Sequence, residues 1–149
     1  VDWWPAFSPL TPRYRFGLPE GRSLGVGVCQ HVSLAADIDN KRVIRTYTPI
    51  SLNNEIGYFD LVVKTYPEGL MSGHLEQLAV GRTILARGPK GTFQYSRGLT
   101  PHLLMIAGGS GITPMYQAVK SSLLDSGDET VLRLIYANEE EDDICESEG

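Results

Sequence analysis

"MIAGGSGITPM", Met105 to Met115, is the end of an apolar strand, then a glycine-rich turn, then a threonine and a proline where a helix can open. Upstream it continues the apolar run "HLLMIAG" (102–108), a pattern expected of a parallel strand buried on both faces. Downstream, "TPMYQAVKSSLL" (113–124) sets Met115, Ala118, Val119 and Leu123 at helical spacing, and "ETVLRLIYAN" (129–138) is a second apolar strand. Strand, helix, strand predicts the first βαβ piece of a doubly wound α/β nucleotide-binding domain. Gly108, Gly109 and Gly111 can bring backbone N–H groups close to a phosphate. Thr113 is placed to cap the helix and Pro114 to take its first position. The loop lacks the lysine of a Walker A sequence and does not spell G-x-G-x-x-G. A plain strand-to-helix turn is the alternative, and the number of glycines favours ligand contact.

The preceding hundred residues have another rhythm. "RYRFGLP" (13–19) alternates, and so does "CQHVSLAADI" (29–38), with Val32, Leu34 and Ala36 on one side and His31 and Ser33 on the other. Asp39-Asn40 makes a turn into "KRVIRTYTPI" (41–50), which reads as a strand ending at Pro49. "NNEIG" (53–57) turns again into the β-branched and aromatic "YFDLVVKTY" (58–66). "HLEQL" (74–78) is a short helix, "RTILARG" (82–88) a strand and "GPKG" (88–91) a turn. Many short strands at close intervals predict a small β-barrel. The expected organisation is therefore a β-barrel domain over residues 1–100 and a partial α/β domain over 101–149. The first dozen residues, rich in aromatics and prolines, read as an irregular lead-in.

Composition narrows the function classes. The 149 residues are 42% hydrophobic and 21% charged, as in a globular protein, and the chain has no apolar run of membrane-spanning length and no signal-peptide pattern. It begins at Val1 rather than Met, which suggests a processed or partial chain and leaves room for a membrane anchor upstream. The two cysteines, Cys29 and Cys145, suit a reducing compartment, and with only His31, His74 and His102 beside them they argue against a zinc site. Seven acidic residues and no basic one lie in the tail "NEEEDDICESEG", which reads as a solvated, frayed end; without those seven the net charge of −5 becomes +2. A faintly basic body suits an anionic small ligand or an acidic protein partner and gives no sign of nucleic-acid binding.

Two further stretches can carry chemistry. In "RTYTPIS" (45–51), Pro49 has no N–H and holds Thr48 extended, so strand pairing must weaken there and leave backbone groups free for a ligand. Arg45 offers a planar fork suited to a phosphate or pyrophosphate, and Tyr47 lies on the same strand face. A surface arginine beside a cross-strand tyrosine explains the pair equally well. In "VVKTYPEGLMSGHLEQL" (62–78), Lys64 and Tyr66 share a strand face, and Ser72 at the start of a short helix makes an anion site. An ordinary turn and N-cap is the alternative there.

The order and spacing of "RTYTPIS", "VVKTYPEGLMSGHL", "RGPKGTFQY" and "MIAGGSGITPM" resemble the NADH-cytochrome b5 reductase family, within the wider ferredoxin reductase group of flavoproteins, from about Arg13 to Ile144. The resemblance implies a barrel that binds FAD and a following domain that binds NADH. It assigns Arg45 to the FAD pyrophosphate, Thr46 and Tyr47 to the flavin and ribityl part, and Thr48 to the N5 side of the ring. It puts Val62, Val63, Lys64 and Tyr66 beside the cofactor, with Lys64 also meeting NADH, and Gly69, Leu70, Met71 and Ser72 around the pyrophosphate. Thr113, with Pro114, would touch the flavin from the second domain, and Gly109, Ser110 and Gly111 would lie against NADH. Thr48 and Lys64 would be the residues nearest the reaction, a hydride transfer from nicotinamide to flavin followed by single-electron release to cytochrome b5 or another heme protein. The family also implies a cytoplasmic location, facing the cytosol from an endoplasmic reticulum or mitochondrial outer membrane.

Several positions depart from the family pattern. Cys29 stands where glycine is usual before "QH", Thr46 replaces a usual proline, and the later "C-G-P-P" motif is absent. The flavin module of a nitrate reductase-like fusion and a flavin-binding protein without turnover therefore stand as alternatives. A half-made α/β sheet would also leave "HLLMIAG" and "VLRLIYA" partly bare, so the isolated chain is expected to be poorly stable or prone to aggregate.

Overall fold

The structure, a computed structural model, describes residues 11–138. Most of the irregular lead-in and of the acidic tail, and Cys145 within it, lie outside the described residues.

Seven strands and two helices follow one another: β1 (Arg13–Gly17), β2 (His31–Ile38), β3 (Lys41–Tyr47), β4 (Tyr58–Val62), α1 (Leu70–Gln77), β5 (Leu85–Lys90), β6 (His102–Gly108), α2 (Ile112–Leu124) and β7 (Val131–Ala137). The expected β-barrel is not what forms. The strands of the first part make two open antiparallel sheets, β1–β4 and β3–β2–β5, with no closed or curled sheet among the described residues. β3 stops at Tyr47, just before Thr48 and Pro49, and β4 stops at Val62, four residues short of the strand expected through Tyr66. The continuous ladder that closure demands is thus absent. β5 pairs only with β2, and its register slips between His31 and Ser33, so the chain runs through Pro89 as an irregular edge where a turn "GPKG" was expected.

The two sheets are held by what lies between them. β2 and β3 form a tight hairpin in which Ile38 pairs with Lys41, and Asp39 and Asn40 both take positive φ (50° and 61°), as a two-residue primed turn requires. Val32, Leu34 and Ala36 of β2 point inward as expected and meet Phe59 and Leu61 of β4 and Met71 and Leu75 of α1. Phe16 and Phe59 face each other across β1–β4 with rings stacked at 5.2 Å. At full burial each of the larger side chains, Val32, Leu34, Phe59, Leu61, Met71 and Leu75, contributes about 1.5–3 kcal/mol. α1 is longer than the short helix expected at 74–78, because its first turn covers the sheet with Met71.

The last part is a parallel pair, β6 and β7, crossed by α2. Met105 packs with Tyr95 and Ala118, Val28 and Cys29 from the first part join this second cluster, and Ala107, on the same strand face as Met105, is buried too. On the opposite face Leu104, Ile106, Val131 and Ile135 are exposed. Leu123, expected in the helix's apolar stripe, is 79% exposed, while Gln117 is fully buried.

One buried charge organises the first sheet. Asp60 accepts from Arg13 Nη2 at 2.5 Å and from Arg15 Nε and Nη2 at 2.9 and 3.0 Å, while its backbone N–H donates to Ser51 Oγ at 3.0 Å. Burial opposes ionisation of Asp60, but the hydrogen bonds from Arg15 and Arg13 outweigh it and hold its pKa below the ordinary carboxylate value. A depressed folded-state pKa gives stability that is present above the unfolded carboxylate pKa and lost as pH falls through the folded one.

Two expectations follow. Asp60→Asn lowers stability at neutral pH by about 1–3 kcal/mol, discounted for the half-exposed Arg15, and flattens the acid limb of the stability–pH curve; urea titrations between pH 7 and pH 3 that superpose for both proteins contradict this. For the bare face of β6–β7, Leu104→Thr/Ile106→Thr should reduce dye binding and light scattering of the isolated chain. No change in either would show that this face does not drive association.

Candidate functional site

A cavity of about 520 Å³ opens where β3, β4 and the two helix N-termini converge. β3 supplies Arg45, Thr46 and Tyr47, and Thr48 follows as the chain leaves the sheet. β4 supplies Val62, and the stretch that follows the strand supplies Val63, Lys64, Tyr66 and Glu68. The start of α1 adds Gly69, Leu70, Met71 and Ser72, and the start of α2 adds Ser110, Gly111, Thr113 and Pro114. Residues scattered over seventy positions of sequence thus share one wall. Of the residues that the resemblance assigns to the cofactors, Gly109 alone lies outside it, and Gly108 of the glycine-rich turn does not line it either. Gly109 takes φ +49° in a single 3₁₀ turn (Gly109–Gly111) and borders an adjoining recess with Lys64, Thr113, Tyr136 and Asn138. Lys64 therefore touches both spaces.

The wall is cationic and donor-rich. Arg45 is exposed, makes no ion pair among the described residues, and donates from Nη1 to the Ile44 carbonyl at 2.8 Å. Tyr47 is half-buried against the core; burial pushes its phenol pKa up, and the Arg45 charge pulls it partly back. The Lys64 ammonium lies 5.8 Å from the centre of the Tyr66 ring. At α1 the first internal bond runs from the Gly73 N–H to the Gly69 carbonyl at 2.8 Å, which leaves the N–H groups of Leu70, Met71 and Ser72 without an intrahelical acceptor.

Ser72 does not cap α1 in the way its sequence position suggests. The cap is Gly69, and Ser72 is the third helical residue. Its hydroxyl is buried, donates to the Gly69 carbonyl at 3.1 Å and accepts from the Tyr66 N–H at 3.4 Å, so it staples the turn before the helix. A Cβ on Gly69 would come 2.2 Å from that hydroxyl oxygen, which explains the glycine. Thr113 and Pro114 are likewise further in than expected, by two positions. The cap of α2 is Gly111, the first helical residue is Ile112, and Thr113 Oγ1 donates to the Ser110 carbonyl at 3.3 Å.

The seam behind the cavity was not read from the sequence. Gln117, one turn beyond Thr113, donates from Nε2 to the Ser51 carbonyl at 2.9 Å and accepts at Oε1 from the Cys29 N–H at 2.6 Å. Cys29 Sγ bonds the Pro114 carbonyl at 3.3 Å, and Lys120 pairs with Glu55 at 2.8 Å. Cys29 takes φ +71°, the left-handed conformation that favours glycine, at the position where the family pattern has one. Its thiol is pushed up to about 11 by burial, so it is no nucleophile at neutral pH. A glutamine on a helix otherwise reading as amphipathic was the available sign of the seam. Glu68, between Pro67 and Gly69, was available as a lining residue.

The family model described as an oxidoreductase FAD-binding domain matches residues 6–95, and one described as an oxidoreductase NAD-binding domain matches residues 105–148. The chain belongs to the family of NADH-cytochrome b5 reductase-like flavoproteins. It is 55% identical over 135 residues to NADH-cytochrome b5 reductase 1 of Cryptococcus neoformans var. neoformans, covering 90% of this chain and 46% of that protein. The same-named protein of Meyerozyma guilliermondii is 50% identical over 132 residues, covering 88% and 46%. Among solved structures, the cytochrome b5 reductase domain of Ulva prolifera nitrate reductase superposes with a TM-score of 0.84 at 38% identity, over 92% of this chain and 60% of that one. The CS-b5R domains of human Ncb5or give 0.80 at 28%, over 93% and 42%. This reductase-family chain spans about half the length of the curated relatives it matches. Among the described residues no helix is long and apolar enough to cross a membrane.

The turn before α1 is testable without any ligand. Gly69→Ala should displace the Ser72 hydroxyl and cost about 1–2 kcal/mol. Gly69→Ala/Ser72→Ala should cost less than the sum of the two single changes, because the clash goes with the hydroxyl. Additive losses in urea denaturation would refute the clash.

Proposed function

We propose that the cavity holds FAD and that the chain is the flavin-binding part, with one wall of the nicotinamide site, of an oxidoreductase passing electrons from NADH to a one-electron acceptor such as cytochrome b5 or another heme protein. The observation that carries this reading is the meeting, in one cavity, of an arginine without a carboxylate partner, three open helix N–H groups and a half-buried tyrosine ring. That set matches a ligand with a pyrophosphate and a flat ring, and the cavity volume is in the range of small-ligand sites. The fit is therefore good on chemistry that owes nothing to the relatives' names.

In this reading Arg45 and the N–H groups of Leu70–Ser72 hold the pyrophosphate from two sides. Thr46 and Tyr47 lie along the ribityl part and the ring. Thr48, released from pairing by Pro49, offers its backbone and hydroxyl at the ring's reactive edge. Val62 and Val63 give the apolar floor, Tyr66 closes the outer side, and Thr113 and Pro114 approach from α2. Lys64 borders both cavity and recess, which supports a place between the two cofactors, and Gly109, Ser110 and Gly111 line the nicotinamide side. A bound flavin supplies the chemistry, taking up a hydride and releasing single electrons. The protein holds the ring, keeps the reacting edge clear and sets the approach of the nicotinamide. We take residues 1–100 as the FAD-binding domain and 101–149 as the start of the NAD-binding one. Association with the cytosolic face of a membrane and an acidic heme-protein acceptor rest on the relationship and on the faintly basic body.

Arg45→Ala should weaken FAD binding about tenfold or more through loss of a charge-assisted fork, with little change in stability; fluorescence quenching titrations giving equal affinity would remove Arg45 from the site. In the wild-type chain FAD should give a bound flavin spectrum, and anaerobic NADH should bleach it. A yellow protein that NADH leaves unbleached would restrict the proposal to flavin binding without turnover. No bound flavin would overturn it.

A further inference from the structure

Gln117 is 1% exposed, and its amide bonds two backbone segments that are distant in sequence. Nε2 donates to the Ser51 carbonyl, two residues beyond Pro49, and Oε1 accepts the Cys29 N–H at the turn into β2. Ser51 is itself tied to β4, because its hydroxyl accepts the Asp60 N–H and the Ile50 N–H donates to the Asp60 carbonyl at 2.9 Å. The chain of bonds thus runs from the Arg13–Arg15–Asp60 cluster through Ser51 and Gln117 to the body of α2. Thr113 sits four residues before Gln117 on the same helix face and lines the cavity. A shift of the helix at Gln117 therefore moves Thr113 and Pro114 relative to Arg45–Thr48.

We propose that Gln117 is a positioning residue, fixing the N-terminus of α2 across the cavity from the Arg45–Thr48 strand through its paired hydrogen bonds to Cys29 and Ser51. The inference rests on the cavity being the flavin site. The amide is suited to this because it carries one donor and one acceptor, and the seam presents one carbonyl and one N–H. A hydrocarbon of the same size leaves both backbone groups buried and unsatisfied. The outer tie, Lys120–Glu55, is partly solvent-exposed on both sides and is the weaker constraint.

The test uses the FAD-loaded chain with Gln117→Leu, Gln117→Glu and Lys120→Ala. The readouts are FAD affinity and the visible circular dichroism of bound flavin, which reports ring surroundings rather than the amount folded. Gln117→Leu should weaken binding about tenfold and change the band shape, whereas Lys120→Ala keeps it. In Gln117→Glu a carboxylate facing the Ser51 carbonyl repels it, and burial raises the carboxyl pKa. The altered spectrum at about pH 8 should therefore return towards wild type at about pH 5.5, as the protonated acid donates again. At the seam itself burial puts the Cys29 thiol at about 11, hydrogen bonds from Lys120 and Leu52 outweigh burial to keep Glu55 below its ordinary value, and Asp60 is held down by its arginines. Wild-type spectra and affinities in both Gln117 variants would overturn the proposal, as would a Gln117→Glu spectrum that acid does not restore. Failure of the wild-type chain to bind FAD would instead remove the flavin reading. The seam is then tested alone, by hydrogen exchange at the Cys29 amide, which loses its acceptor in Gln117→Leu and should exchange at least about tenfold faster there than in wild type; equal rates would overturn it.

Discussion

Pro49 has no N–H to give, and β3 stops pairing just before Thr48 and Pro49. Most of the site depends on that stop and on the matching early end of β4 at Val62. Had the two strands continued, Thr48 and the segment leading to Tyr66 would run inside a regular ladder, and Arg45 would project from an unbroken surface. Ending there, the strands leave a gap between two open sheets that α1 and α2 enter with their N-termini. The Asp60 carboxylate below the gap, held by Arg13 and Arg15, keeps β1 and β4 together where the ladder is short. Immediately past the gap the pairing resumes, with the Ile50 N–H on the Asp60 carbonyl and Ser51 Oγ on the Asp60 N–H.

The elements fixed by local chemistry were the ones legible in the sequence. Asp39-Asn40 announced a tight hairpin, Val32, Leu34 and Ala36 announced the inner face of β2, and the glycines after "HLLMIA" announced a strand-to-helix turn. Nearly all of the residues that the family motifs single out line one cavity. Closure was not legible. Alternating strands are common to barrels and to open sheets, and the difference lies in long-range register, here broken at Tyr47, at Val62 and by the slip opposite Pro89. The capping positions were off, by three residues at α1 and two at α2, for a similar reason. Ser72 and Thr113 look like caps locally, but each hydroxyl finds the carbonyl three residues back in a turn that glycine makes possible. Gln117 escaped notice because a polar residue on a helix normally faces water, and its burial depends on Cys29 and Ser51 arriving from far away.

The two parts of the chain meet through unlike materials. Val28, Cys29 and Tyr95 give an apolar patch to the second cluster, and Gln117 threads a pair of hydrogen bonds through it. Tyr95 adds another polar contact, its hydroxyl 2.5 Å from Asp128 Oδ2. That carboxylate is drawn down to about 2, chiefly by the tyrosine and then by Thr130. Such a seam favours one relative placement of the helix, which a site built from both parts needs. The far side of β6–β7 is bare by contrast, with Leu104 and Ile106 more than half exposed. The well-packed side of the α/β unit is thus the side that faces the cavity.

The account's central claim is that one ligand bridges β3, β4 and both helix N-termini in this cavity. Amide chemical shifts of the labelled chain, followed through a titration with FAD, test it most directly. The account predicts that the largest changes cluster at 45–48, 62–66, 69–72 and 110–114 and leave Leu104, Ile106 and Ile135 unmoved. Saturable changes confined to one of those segments, or centred on the outer face of β6–β7, would contradict it.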